Sequence, residues 1–132
     1  MPLGKVRFSD APTAPELTVE LALTWPHQRH GLMFRPELKE TEGMLFSYRD
    51  HKPRNFWMHN TCLALDMLHI DRDQRIVGIL ENVPPWNDAT RSVRCPAAHV
   101  LEVPAGWSRR YGVKPGQRVE ISSSAAPQNA SH

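Results

Sequence analysis

Hydrophobic positions in this chain recur mostly with a period of two, the spacing of a strand that buries one face. Leu17, Val19, Leu21 and Leu23 share one side, with Thr18, Glu20 and Thr24 on the other, which predicts a half-buried strand. A shorter strand is expected around Val6 to Phe8. Met44, Phe46 and Tyr48 share a face of a strand over 44–48, and 56–59 forms the next. Residues 64–70 and 75–81 read as a hairpin joined by the polar turn Asp71-Arg72-Asp73-Gln74. Strands over 99–103 and 118–121 complete the set, with Val119 and Ile121 facing inward.

Helical signals are few. Thr24 is placed to cap a short helix with Pro26 in its first turn. Residues 36–43 read as a turn or a single helical turn, and a further helical turn is expected near 105–111. Residues 49–55 read as a polar connection, and 84–97, with three prolines, as a long loop suited to act as a lid. The pattern predicts a mainly β, compact single-domain fold, barrel or sandwich-like, with one or two short helices; an α+β sheet is the alternative. Residues 1–16 would be an N-terminal extension or short edge strand, 17–121 the domain, and 122–132 a disordered tail.

Composition adds limits. At 132 residues, 40% hydrophobic and 23% charged, the chain has the make-up of one ordinary globular domain. Sixteen basic and fourteen acidic residues leave a net charge of +2, spread without a basic stripe, so no nucleic-acid partner is expected. No apolar run has the length of a signal peptide or a membrane span, so the expectation is a cytoplasmic protein without a membrane partner. Cys62 and Cys95 form no CxxC spacing and are expected as buried, reduced thiols. The seven histidines match no metal-ligand spacing, and neither a metal nor a cofactor is expected.

Two acids stand out. Asp66 lies on a strand face with Ala64, Leu68 and Ile70, and Glu102 shares a face with Val100. A lone carboxylate on an apolar face either has a fixed partner (backbone amides or an arginine) or faces a site. Arg29 and Arg35 bracket Gly31-Leu32-Met33-Phe34 and are suited to a carboxylate or phosphate, or to pairing with one of those acids. Asn55, Trp57 and His59 share a face, setting polar groups beside an indole, and Asn60-Thr61 can close a turn through side-chain hydrogen bonds.

The series Arg29-His30-Gly31-Leu32-Met33-Phe34-Arg35, Gly43-Met44-Leu45-Phe46, Phe56-Trp57-Met58-His59-Asn60-Thr61, Leu65-Asp66 and Val100-Leu101-Glu102 with Gly106 resembles the family called domain of unknown function 192, over roughly residues 17–121. The resemblance implies a compact, mostly β prokaryotic domain of no established activity. His59 stands where that family tends to show Lys or Arg, which would make anion binding there pH-dependent. Three functions remain open. The first is a module binding a small polar, anionic or sugar-like molecule through Arg29, Arg35, Trp57, His59, Asn60, Asp66 and Glu102. The second is a hydrolase using Asp66 or Glu102 as acid or base. The third is a protein-interaction domain with Trp86 and Trp107 as exposed anchors.

Overall fold

The computed structural model describes residues 1–123. Nine strands and two short helices follow one another along them: β1 Leu3–Arg7, β2 Leu17–Ala22, α1 Trp25–His30, β3 Glu42–Lys52, β4 Phe56–Met58, β5 Leu65–Ile70, β6 Ile76–Val83, β7 Asn87–Arg91, β8 Ala97–Pro104, α2 Trp107–Arg110 and β9 Glu120–Ser122. Seven strands form one mixed sheet in the order β6-β5-β8-β3-β2-β1-β9, while β4 and β7 form a separate antiparallel pair. The fold is mainly β, as the period-two pattern predicts. Among the described residues no helix is long and apolar enough to cross a membrane.

The sheet coils until its two ends touch. Arg75, just before β6, bridges to Arg118, just before β9, and Val119 donates its amide to the Gln74 carbonyl. One isolated bridge is not a ladder, so the barrel of the sequence-based expectation stays open at this seam. The concave side holds one core, with Val6, Leu17, Val19, Leu21, Leu45, Leu68, Ile70, Leu101, Val103 and Val119 around Trp107. Trp107 is fully buried, tilted against Phe8 and Tyr111, and donates from its indole to the Glu40 carbonyl. It is therefore a core residue rather than an exposed anchor; Trp86 is the exposed one of the two.

The convex side carries a second core of Ala22, Leu32, Met44, Phe46, Met58, Leu65, Met67, Val83 and Val100. β2 and β3 are parallel, so the chain must cross over between them, and α1 lies on that crossover. Thr24 caps α1 by accepting from the His27 amide, and Pro26 sits in the first turn, both as predicted. The Gln28 side chain donates to the carbonyls of Ala22 and Ser47, tying the helix to β2 and β3.

Several local expectations change. The strand expected over 44–48 starts at Glu42 and continues to Lys52, because pairing with β8, from Met44 opposite Glu102 to Lys52 opposite Ala97, carries it past the polar residues. The loop over 84–97 contains β7, which pairs with β4. β1 sits between β2 and β9 instead of at an edge. Cys62 and Cys95 are free but exposed, lying in connections that neither core covers. Ser122 belongs to β9, and the remainder of the expected tail, 124–132, lies outside the described residues.

Candidate functional site

On the convex side, a cleft of about 380 Å³ opens between α1, the outer half of β3 and the 53–61 segment. Its size lies in the lower part of the range for small-molecule sites. Period-two geometry supplies the floor: Phe46 and Tyr48 project from β3, and Glu102 from β8 directly opposite Met44. Helix α1 contributes Trp25, Gln28, Arg29 and His30, and the 52–61 stretch contributes Lys52, Arg54, Asn55, Phe56, Trp57, His59 and Thr61. The Trp57 and His59 rings stack at 4.5 Å and 23°, as their shared face predicts. The His59 Nδ1 lies 2.8 Å from Asp88 on β7.

Glu102 is the unusual group. It is only 4% exposed, yet among the described residues nothing hydrogen-bonds or ion-pairs with its carboxyl. Burial alone pushes its pKa from 4.5 up to about 8, so it holds its proton at neutral pH. Tyr48 beside it is also pushed up, first by burial, with the Arg54 charge opposing. Arg54 lies 3.8 Å over the Tyr48 ring, donates to the Ala97 carbonyl, and is held by the Asp50 carbonyl and carboxylate at 2.7 Å. It is a buried cation fixed by its partners. Arg29, by contrast, is exposed on the wall with no carboxylate partner among the described residues.

Four of the seven residues singled out from sequence therefore meet at the cleft: Arg29, Trp57, His59 and Glu102. Arg35, Asn60 and Asp66 are not among its lining. Arg35 pairs with Glu20 at 2.7 Å, so neither arginine reaches Asp66 or Glu102 as a partner. Asn60 adopts φ 53° in the turn after β4 and accepts the Phe34 amide on its carbonyl. Asp66 is fully buried on the other face of the sheet. Its Oδ1 accepts the amides of Asn82 and Gly106, and its Oδ2 that of Ser108. Gly106, at the N-terminus of α2 with φ 84°, has no side chain to cap the helix, and Asp66 performs that task from β5. The expected lid contributes no lining residue; its part is to support His59 through Asp88.

Tyr48 and Arg54 line the cleft and were not singled out by the sequence pattern. The alternation Met44, Phe46, Tyr48 had already placed Tyr48 on the right face, but nothing in sequence marked that face as a floor. No local pattern distinguishes Arg54 from the other charges of 49–55. Nor do the histidines converge: His69 pairs with Val100 on the convex side and His99 with Ile70 on the concave side. No group of three metal-ligating side chains occurs among the described residues.

Comparison with known proteins places this architecture. The chain is similar to a Sinorhizobium meliloti 1021 protein described as a candidate transcription regulator, with 43% identity and a TM-score of 0.83, covering 91% of this chain and 94% of that one. It is also similar to a protein of unknown function from Novosphingobium aromaticivorans DSM 12444, with 34% identity and a TM-score of 0.78, over 89% and 83% of the two chains. No curated protein matches. A family model described as an uncharacterised ACR matches residues 7–121, and the chain belongs to that family, DUF192.

Proposed function

We propose that the convex cleft binds a small polar ligand, anionic or sugar-like. The observation that carries this reading is Glu102: a hydrogen-bonding group buried at the floor of an open cleft with no protein partner. Its oxygens open onto the cleft rather than being sealed in the core, so a ligand hydroxyl or carbonyl can pair with them. Trp25 and Trp57, each more than a third exposed, flank the opening as flat apolar surfaces, and Arg29 adds an unpaired positive charge. The helices, six and four residues long, give no support to a groove-reading nucleic-acid role.

The test is a thermal-shift screen of sugars, organic acids, nucleotides and divalent metals. A ligand at a hundred times its Kd adds about 2.7 kcal/mol of stability, several degrees for a domain of this size. A hit lost in both Arg29→Ala and Glu102→Ala supports the reading. A hit indifferent to both, or no hit at all, sinks it.

A second reading is hydrolysis with Glu102 as general acid, favoured by the proton it keeps near neutrality. Asp66 does not serve as a second carboxylate in this scheme, because β5 pairs Asp66 with Val103 and Met67 with Glu102, setting the two acids on opposite faces. Turnover of ester or glycoside substrates that disappears in Glu102→Gln would favour this reading; the absence of turnover in wild type would remove it.

A further inference from the structure

We infer that the rim of the convex cleft docks on an anionic lipid surface, with Phe34 and Trp86 as interfacial anchors and Arg29, on the same rim, meeting the headgroups. The inference does not depend on what the cleft itself binds. Among the described residues, the large aromatic side chains that stand exposed are Trp25, Phe34, Trp57 and Trp86. All four surround this one cleft. Trp25 and Trp57 line it. The Phe34 amide donates to the Asn60 carbonyl at 2.8 Å and the Trp86 amide to the Thr61 carbonyl at 3.0 Å, so both are fastened to one turn just after β4. Phe34 is 62% and Trp86 59% exposed, and both hold a left-handed backbone, with φ 60° and 53°. Bulky residues rarely adopt that conformation. The turn therefore keeps two aromatic rings in solvent where local preference would place Gly or Asn. A single exposed apolar residue needs no explanation, but a cluster marks a contact surface. Aromatic rings concentrate where an apolar phase meets water, as at the level of lipid headgroups.

Charge selects the occupant. From Leu21 to Pro36 the sequence holds no acid, yet it holds His27, Arg29, His30 and Arg35. Helix α1 buries none of its residues and carries its basic groups in the last turn. Across the cleft, Lys52 and Arg54 share the single Asp50 carboxylate. Asp88 is taken up by His59 and Glu20 by Arg35, and Arg29 has no carboxylate partner among the described residues. The rim is left with surplus positive charge beside its aromatic rings, the combination that suits an anionic bilayer. Such docking needs no spanning segment, so the lack of a long apolar helix among the described residues does not bear on it.

Co-sedimentation of the full chain with phosphatidylcholine vesicles, with and without about a third phosphatidylglycerol, tests this. At low salt the anionic vesicles should hold the protein about tenfold more tightly than the neutral ones, and added salt should weaken that hold. Phe34→Asn combined with Trp86→Asn removes both rings but suits the left-handed backbone, so the melting temperature should not fall. That double variant should bind the anionic vesicles about tenfold more weakly. Arg29→Ala, at an exposed position, should weaken binding about fivefold. Retention of the double variant at wild-type strength overturns the anchors, and equal binding to both vesicles overturns the charge assignment. Binding to neither vesicle overturns the inference. Self-association that the double variant abolishes, without vesicle binding, also overturns it and gives the patch to a second copy of this chain.

Discussion

Asp66 and Glu102 sit one residue out of register on neighbouring strands, both almost wholly removed from water, and they have opposite surroundings. Asp66 faces the concave side, where three backbone amides converge on its two oxygens and the start of α2 depends on it. Glu102 faces the convex side and has no protein partner. A single step along a β ladder turns a side chain to the other face, so adjacent strands can carry one acid that the fold needs and another that the fold tolerates. Burial alone does not distinguish them. The difference lies in what surrounds each oxygen, and it separates a carboxylate that holds the fold together from one that opens onto the cleft.

The sharpest break of that comparison is removal of each acid in turn. Asp66→Ala leaves three amide donors unsatisfied at about 1–3 kcal/mol apiece, so a loss of about 4 kcal/mol or more is expected. Asp66→Asn keeps the shape but aims an NH2 group at an amide donor, and should lose somewhat less. Glu102→Gln removes no protein hydrogen bond and is neutral in both states, whereas unfolded Glu102 ionises near 4.5, so the variant should raise the urea midpoint above that of wild type at pH 6. Equal losses for the Asp66 and Glu102 variants would erase the distinction.

The pH dependence of stability sharpens it next. Unfolded Glu102 releases its proton near 4.5 and the folded group near 8. Between those values the native state holds the extra proton, and stability falls as pH rises. His69 and His99 act in the opposite sense. Burial, with the Arg54 charge adding to it, lowers both to about 4. The unfolded chain therefore holds their protons between about 4 and 6.5, and stability rises with pH over that window. Two rising contributions outweigh one falling contribution below pH 6.5, and only the falling one remains above it. Stability should peak near pH 6.5 and drop by about 2 kcal/mol by pH 8, taking 1.36 kcal/mol per unit. Glu102→Gln should flatten the alkaline limb. Denaturant midpoints from pH 5 to 9 measure both limbs, and an alkaline limb unchanged in the variant would assign it to another group.

How much of this was legible in the sequence follows from the range of each signal. Period-two alternation is local, and it correctly located β2, the β5–β6 hairpin and β8, and put Asp66 and Glu102 among apolar neighbours. The cap at Thr24 is likewise a property of six adjacent residues. What decided the roles of the two acids was non-local: the amides of Gly106 and Ser108 are forty or more residues from Asp66. β7 reads as loop in sequence because its partner, β4, is only three residues long, and an exposed Asn-Asp-Ala-Thr-Arg strand has no apolar alternation to reveal it. Cys62 and Cys95 read as buried because thiols usually are, yet both are exposed, and nothing beside them in sequence fixes that.

The smallest expected effect concerns the convex side alone. Thr24→Ala removes the acceptor for the His27 amide, a contact of 3.4 Å, and should cost about 1 kcal/mol or less. The rest of α1 remains anchored, because Gln28 still donates to Ala22 and Ser47. The loosening should therefore show as faster hydrogen exchange confined to the first turn of α1, with β5 and β8 unaffected. Asp66→Ala should instead accelerate exchange throughout the sheet, since losing global stability raises every core opening equally. Because α1 carries Trp25 and Arg29, any ligand of the proposed cleft should bind the cap variant more weakly by no more than that stability loss. If exchange in β8 rises together with that in α1, the helix is part of the same cooperative unit as the concave core, and the two faces of the sheet do not open separately.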